Sequence, residues 1–374
     1  MRTGALVDAA VGVGLGKSAL VAAGVAACTV LVLVLFAGYR SLNHGVESYA
    51  GRAGSDLWIA PPGTDNMIRS GGYIPASWET RLRALAGVAA VDPVLRTFAA
   101  VETAAPHSLR LTLLAIGYRG PAGMGGPSSI RIGRPPRAAG EVVIDRAAAF
   151  RLGVGVGDEV RVNEVPLRIV GLSDGTNLIG TQFLFGDYAS AVEAVGVAGR
   201  TSFFVVRLAE GADAEERAQA VRRLLPGASV MTRREFLRNN LREVAAGLVP
   251  LLAVLAGLGL GVASALVGLL VEGLVENRKT DLAVLLALGA GTRSIGTGLA
   301  RAVAKVLGAG LLLGAAAALA LGLVLERWMP TVELTFRLAD LAWASCLFGA
   351  AGLAAIAVPL ARLGRIDPLE AFRP

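Results

Sequence analysis

Four stretches of this chain contain no charged residue at all: Ser18 to Tyr39, Val244 to Val271, Val306 to Leu325, and Leu341 to Ala361. Each reaches the roughly 20 residues that a helix needs to cross about 30 Å of hydrocarbon. A backbone in lipid must satisfy its own hydrogen bonds, so such stretches are confined to helices. The sequence therefore predicts an α-helical membrane protein with four transmembrane helices in a one-plus-three layout, and a mixed α+β extracytoplasmic domain inserted between helices 1 and 2. The first stretch follows Arg2 and Lys17, as a secretory leader would. Its apolar core is longer than the 7 to 15 residues of a leader and no A-x-A site follows it, so it reads as an uncleaved span.

Composition agrees with this layout. The chain is 54% hydrophobic and only 17% charged, whereas soluble domains carry about a quarter of their residues as charges. With 48 glycines and 5% aromatic residues, it suits helices packed closely through small side chains.

The boundaries read as follows: 1–17, an N-terminal interfacial helix; 18–39, the first span; 40–243, the inserted domain; 244–271, the second span; 272–295, a cytoplasmic loop; 296–325, the third span; 326–340, a short external loop; 341–361, the fourth span; and 362–374, a cytoplasmic tail. The second uncharged run would measure about 42 Å as a helix, so it tilts or projects beyond the bilayer. Segments 1–17, 272–305 and 362–374 together hold ten basic and six acidic residues, against two and three in 326–340. The positive-inside rule then puts both termini in the cytoplasm of a multi-pass protein of the cytoplasmic membrane.

Within 40–243, strands are expected at Asp56–Ala60, Glu141–Asp145, Glu159–Asn163, Leu167–Val170 and Ser202–Arg207, which are β-branched or alternating runs between turn formers. Helices are expected at Ser77–Leu85, capped by Ser77, at Asp187–Ala194, and at Asp213–Leu225, where Asp213 and Glu216 have capping-box spacing. Gly117 to Pro136 is rich in Gly and Pro and reads as an irregular loop or insertion.

Several chemistries are disfavoured. Cys28 and Cys346 lie inside apolar runs, and His44 and His107 are isolated, so neither a disulfide scaffold, a metal site nor a catalytic triad has much to build on. Gly12-Val-Gly14-Leu-Gly16-Lys17-Ser18 looks like a phosphate loop, but Val11 stands where G-x-x-x-x-G-K-[ST] needs glycine and no strand precedes it. No charge lies within the four apolar stretches Ser18–Tyr39, Val244–Val271, Val306–Leu325 and Leu341–Ala361, which disfavours an intramembrane proton relay. Basic and aromatic residues do not interleave, so no nucleic-acid partner is expected, and membrane lipid is the natural surroundings.

The segment after the second span is the most informative. Glu276-Asn-Arg278-Lys279-Thr-Asp281 is charged; Asp281 to Leu288 is a short apolar helix; Gly289-Ala290 breaks it, and Arg293 precedes the return to the bilayer. The apolar face at Leu282, Leu285 and Leu288 needs something to bury it. These residues resemble the coupling-helix region of MacB/FtsX-type ABC transporter permeases, the group of the lipoprotein-releasing and DevC-like permeases. The family pattern E-x-R-x-x-[ED]-[IL]-G-[IVL]-[LM]-x-A-[LI]-G-A is matched by Glu276, Arg278, Asp281, Leu282, Val284, Leu285, Ala287, Leu288, Gly289 and Ala290. Ala283 stands where glycine is usual.

Near the C-terminus, Asp367-Pro368-Leu369-Glu370-Ala371-Phe372-Arg373 is similar to the terminal P-x-E-A-[LF]-R signature. Residues 140–171 look like the strand, Gly-Asp turn and strand of the family's periplasmic core domain, with Gly157-Asp158 as a tight turn joining paired strands.

The resemblance implies a non-catalytic subunit with no cofactor of its own. ATP and Mg would be held by a separate ABC ATPase in two copies, and a second permease chain would complete a homodimer or related heterodimer. The second helix would transmit ATPase closure as a stalk into the inserted domain. The output would be export or extraction of a lipid, lipoprotein, peptide or amphipathic small molecule, with a periplasmic adaptor in some relatives. In the FtsX-like alternative, the movement activates a cell-wall hydrolase and nothing is transported.

Overall fold

The computed structural model describes residues 15–52, 54–69, 71–103, 109–120, 123–162, 165–175, 181–278, 280, 281, 284, 291–328, 334 and 336–363. The chain divides into two compact units, one built on Arg40–Val249 and the other on the long apolar helices outside that range.

Four helices carry the apolar unit: α1 (Leu15–Arg52), α6 (Arg233–Asn277), α7 (Thr292–Trp328) and α8 (Leu338–Leu363). All four are long and apolar enough to cross a membrane. One core joins them, with Val25 and Leu33 of α1, Val267 and Val271 of α6, Leu299 and Val303 of α7, and Ala344 and Phe348 of α8. Glycine sets the closest approach, as expected where lipid offers no hydrophobic drive for association. A Cβ added at Gly310 would lie 2.7 Å from Val25 Cβ, and one at Gly314 would lie 2.7 Å from the Ala26 carbonyl oxygen. This small-xxx-small pair lets α7 pack directly on the backbone of α1.

The inserted domain contains twelve described strands. Its first half is an antiparallel sheet in which β12 (Ser229–Thr232) pairs with β1 (Leu57–Ala60), β1 with β11 (Phe203–Leu208), and β11 with the first half of β3 (Val88–Thr103). One face packs on α2 (Trp78–Arg83) and α5 (Ala214–Leu224) through Leu57, Ile59, Leu82, Phe204 and Val221. A two-stranded ribbon, β2 (Ile74–Pro75) with β10 (Arg200–Thr201), lies apart from the main sheet.

The second half is a ring. β3 pairs with β4 (Arg110–Tyr118), β4 with β9 (Phe183–Asp187), β9 with β6 (Glu141–Asp145), and β6 with β8 (Val165–Ser173). β8 then pairs with β7 (Glu159–Val162), and β7 returns to β3 at Val101–Thr103. β5 (Ile130–Gly133) joins the outer edge of β8. Helix α3 (Arg146–Leu152) fills one end of the ring with Ala148, Ala149 and Leu152. Asp145 caps it by accepting from the Ala147 amide, and Gly153 ends it at φ +68°. Helix α4 (Tyr188–Val195) stands beside the other end, capped by Asp187.

Four expectations for this domain need correction. Ser77 occupies the N-cap position of α2 but has helical backbone angles and makes no side-chain cap bond, because a helical φ/ψ turns the hydroxyl away from the amides it would serve. Gly157-Asp158 does not join strands paired with each other. It follows α3 and leads into β7, and both β6 and β7 pair with β8, one parallel and one antiparallel. Residues 117–136 are not wholly irregular, since Ile130–Gly133 pairs with β8. The longest strand, β3, and its partner β4 fall where no strand was expected. At α5 Asp213 accepts from the Glu216 amide as predicted, while the Glu216 carboxylate engages Arg217.

Candidate functional site

Two places bear on function: the segment after α6, and the junctions where α1 and α6 meet the sheet of the inserted domain. Of the residues predicted to contact an ATPase, Glu276, Arg278, Asp281 and Arg293 are described. Arg278 and Asp281 form a partly exposed ion pair at 3.2 Å, three residues apart. Asn277, at the end of α6, donates from Nδ2 to the Gly273 carbonyl at 2.7 Å, and Val284 is exposed. Gly291 accepts the Ser294 amide at the start of α7. Arg293 lies in the first turn of α7. Lys279, Leu282, Leu285, Leu288, Gly289 and Ala290 lie outside the described residues. So do Asp367, Pro368, Glu370, Phe372 and Arg373 of the C-terminal motif, and most of the segment expected as an interfacial helix at 1–17.

The α6 junction is built around aromatic rings. Thr232 and Glu235 form a reciprocal capping box: the Glu235 carboxylate accepts from the Thr232 amide at 2.9 Å, and Thr232 Oγ1 accepts from the Glu235 amide at 3.3 Å. That cap fixes the first turn, and Phe236 then stacks on Trp58 of β1 with centroids 4.1 Å apart while Phe203 meets Trp58 edge-on. All three rings are fully buried.

One turn later, buried Asn240 donates to the Phe236 carbonyl at 2.8 Å and accepts from the Met67 amide at 2.9 Å. Glu243 pairs with Arg69 at 2.6 Å. The 61–69 loop is tied in turn to β3, where the Arg96 guanidinium donates to the Ile68 carbonyl at 2.6 Å. Capping, stacking and amide bonds thus bind the first three turns of α6 to the domain.

The α1 junction uses Tyr49. Its ring lies 5.0 Å from Phe183 and 5.9 Å from Phe185 of β9, and its hydroxyl donates to the Gly125 carbonyl at 2.9 Å. Tyr118 packs edge-on to Phe185, and burial pushes its own hydroxyl up to about 12. These rings form the outer face of the ring of strands, opposite the apolar interior.

Sequence reading missed both junctions. The T-x-x-E box at Thr232 was visible, but the uncharged run placed the start of the second span at Val244, eleven residues after the start of the helix.

Residues 18–224 match the MacB-like periplasmic core domain. The chain belongs to that family. With its four apolar helices, it is a multi-pass permease of the MacB/FtsX type, within the ABC transporters. Among solved structures it is similar to the periplasmic region of MacB from Actinobacillus actinomycetemcomitans, at 15% identity and TM-score 0.38 over 48% of this chain and 90% of that one. It is also similar to the extracellular domain of the noncanonic ABC-type transporter YknZ from Gram-positive bacteria, at 14% identity and TM-score 0.36 over 47% and 99%. No curated protein matches the sequence. Among the described residues, no group of His, Cys, Asp and Glu could hold a metal ion.

Proposed function

We propose that this chain is a non-catalytic permease subunit that carries the work of a separate ABC ATPase across the membrane to the inserted domain, driving export or extraction of an amphipathic substrate. The observation that carries the reading is α6. It is one helix of 45 residues, about 68 Å long at 1.5 Å per residue, docked at its start by Trp58, Phe236 and Asn240 and ending beside the Arg278–Asp281 pair. Pro250 leaves one bond of the helical ladder unmade, and the remaining backbone hydrogen bonds tie the turns on either side of it, so that displacement of one end of α6 is carried toward the other.

In this reading Glu276, Arg278, Lys279, Asp281 and Arg293 provide the charged frame of the ATPase contact, and Leu282, Leu285 and Leu288 its apolar surface. Gly289 and Ala290 form the break, and residues 367–373 provide a second cytoplasmic contact. ATP and Mg sit on two ATPase copies, and a second permease chain completes the assembly. Both termini are cytoplasmic.

The test is co-purification. Leu285→Asp puts a charge into an apolar contact at a cost of several kcal/mol. It is expected to remove the ATPase, read as ATP hydrolysis in the eluate of the tagged chain, at unchanged yield and unchanged protease resistance of residues 40–243. Undiminished recovery of ATPase would refute the coupling assignment. ATP-dependent activation of a cell-wall hydrolase by the complex, with no solute moved, would replace export with signalling.

A further inference from the structure

The ring formed by β3, β4, β9, β6, β8 and β7 is closed and filled at one end only. At the filled end, Val101, Leu113, Ile144, Val160 and Ile169 point inward onto α3. At the other end the inward positions of β3, β4 and β9 become small, with Ala99, Ala115, Gly117 and Gly186, and a cavity of about 700 Å³ opens there. This volume falls within the range of small-molecule sites, and barrel mouths are among the places where such sites form. Its apolar lining includes Val142, Leu167 and Leu184.

The wall is incomplete on one side. β7 reaches β3 only at Val101–Thr103, so on the edge away from β4 Thr97 to Ala99 have no partner strand among the described residues, and Phe98 is 51% exposed beside the opening. The opposite side is bounded by α4, which lies so close to β4 that a Cβ at Gly117 would come within 2.5 Å of Ala191 Cβ.

Charge narrows the choice of occupant. Among the described residues, the lining contains three carboxylates, Glu141, Asp187 and Glu193, and no Lys or Arg. Arg134 neutralises Glu141 through two bonds at 2.5 and 2.7 Å. Asp187 caps α4 at its start, accepting from the Ser190 amide at 3.1 Å. Glu193 lies in the last turn of α4, where the helix dipole favours a cation and disfavours a carboxylate. Neither Asp187 nor Glu193 forms an ion pair among the described residues. Helix α4 has no fully buried residue, although five of its eight are Ala or Val, and Ala191, Ala194 and Val195 line the mouth.

We propose that this mouth binds an organic cation with an apolar tail, the tail lying on Ala99, Val142, Leu167 and Leu184 and the cationic group facing Glu193 and Asp187. Binding at this mouth does not require that the chain transport anything, so its failure and the failure of the permease reading are separable.

The probe is N-dansylcadaverine, a primary amine on an apolar fluorophore, titrated against the full chain in lipid nanodiscs and against empty nanodiscs. Saturable blue-shifted emission above the empty-disc signal is expected. Asp187→Asn with Glu193→Gln keeps the cap and removes the charge, and should weaken the amine by about fivefold, the scale of an exposed ion pair. The same change should leave uncharged dansylamide unchanged. Ala194→Trp, on the exposed surface of α4, should reduce binding of both probes by narrowing the mouth. The proposal is overturned by emission no greater than that of empty discs, by an amine affinity indifferent to both sets of substitutions, or by equal uptake of the anionic dansylglutamate.

Discussion

Glu141 illustrates how much one side chain can fix. Its carboxylate takes both guanidinium nitrogens of Arg134 and the Arg137 amide, holding the approach to β6 against the start of that strand. The Arg134 bonds first, and then the Arg137 amide, pull its pKa down to about 2 from 4.5. A depressed carboxylate contributes stability above its unfolded pKa and loses it as pH falls through the folded value. Glu141→Gln should therefore lower the thermal midpoint of the domain most at pH 5 and above, with the difference from wild type closing as pH falls from about 4.5 to about 2. Midpoints measured across that range check it, and a difference constant with pH would place the contribution elsewhere. At the residue scale, little of this was legible in sequence. Arg134 lies in a stretch read as loop and Glu141, seven residues on, opens a predicted strand, and nothing in their spacing announces a two-pronged pair.

At the scale of elements, legibility followed chemistry. The long helices were plain because lipid excludes charge, and that exclusion is written residue by residue. Strands β6, β7, β8 and β11 were legible because β-branched runs sit between turn formers. β3 was hidden by its own composition: Ala89, Ala90, Ala99 and Ala100 dilute its apolar alternation, and Pro93 argues against a central strand. Pro93 is tolerated opposite Phe204, where β3 has β11 on one side and has not yet met β4. β4 did alternate, with Leu111, Leu113 and Ala115 inward, and a stricter count of period two would have found it.

The glycine pair on α7 was equally visible and equally unread. Gly314→Leu should push α7 from α1 and cost about 1 to 3 kcal/mol or more, the usual cost of overpacking a filled contact. Gly308→Leu, whose added Cβ meets nothing within 4 Å, should be close to neutral. Denaturant titration of the two variants in mixed micelles checks the contrast, and equal loss would show that the close contact at Gly314 does not set the cost.

For the whole molecule, the one-plus-three layout and the family were legible, because apolar length and a motif near the second span survive without any knowledge of packing. The docking of α1 and α6 was not legible, since it depends on Tyr49, Trp58, Phe183, Phe203 and Phe236 meeting across up to 178 residues of sequence. Topology belongs to this scale. In a chain with Cys28 and Cys346 replaced by serine, a cysteine at exposed Ser129 should react with an impermeant thiol reagent in intact cells, and one at exposed Thr280 should not. Labelling of Thr280 alone would invert the protein.

In the proposed function, ATP turnover on one side of the membrane and the inserted domain on the other are mechanically joined through α6. ATP hydrolysis by the reconstituted complex carrying Phe236→Ala tests it most directly, because the substitution loosens the junction at Trp58 and touches nothing near the ATPase. The ATPase is expected to stay bound in full while its turnover changes several-fold, a shift on the order of 1 kcal/mol in barrier. Full binding with turnover identical to wild type would contradict it.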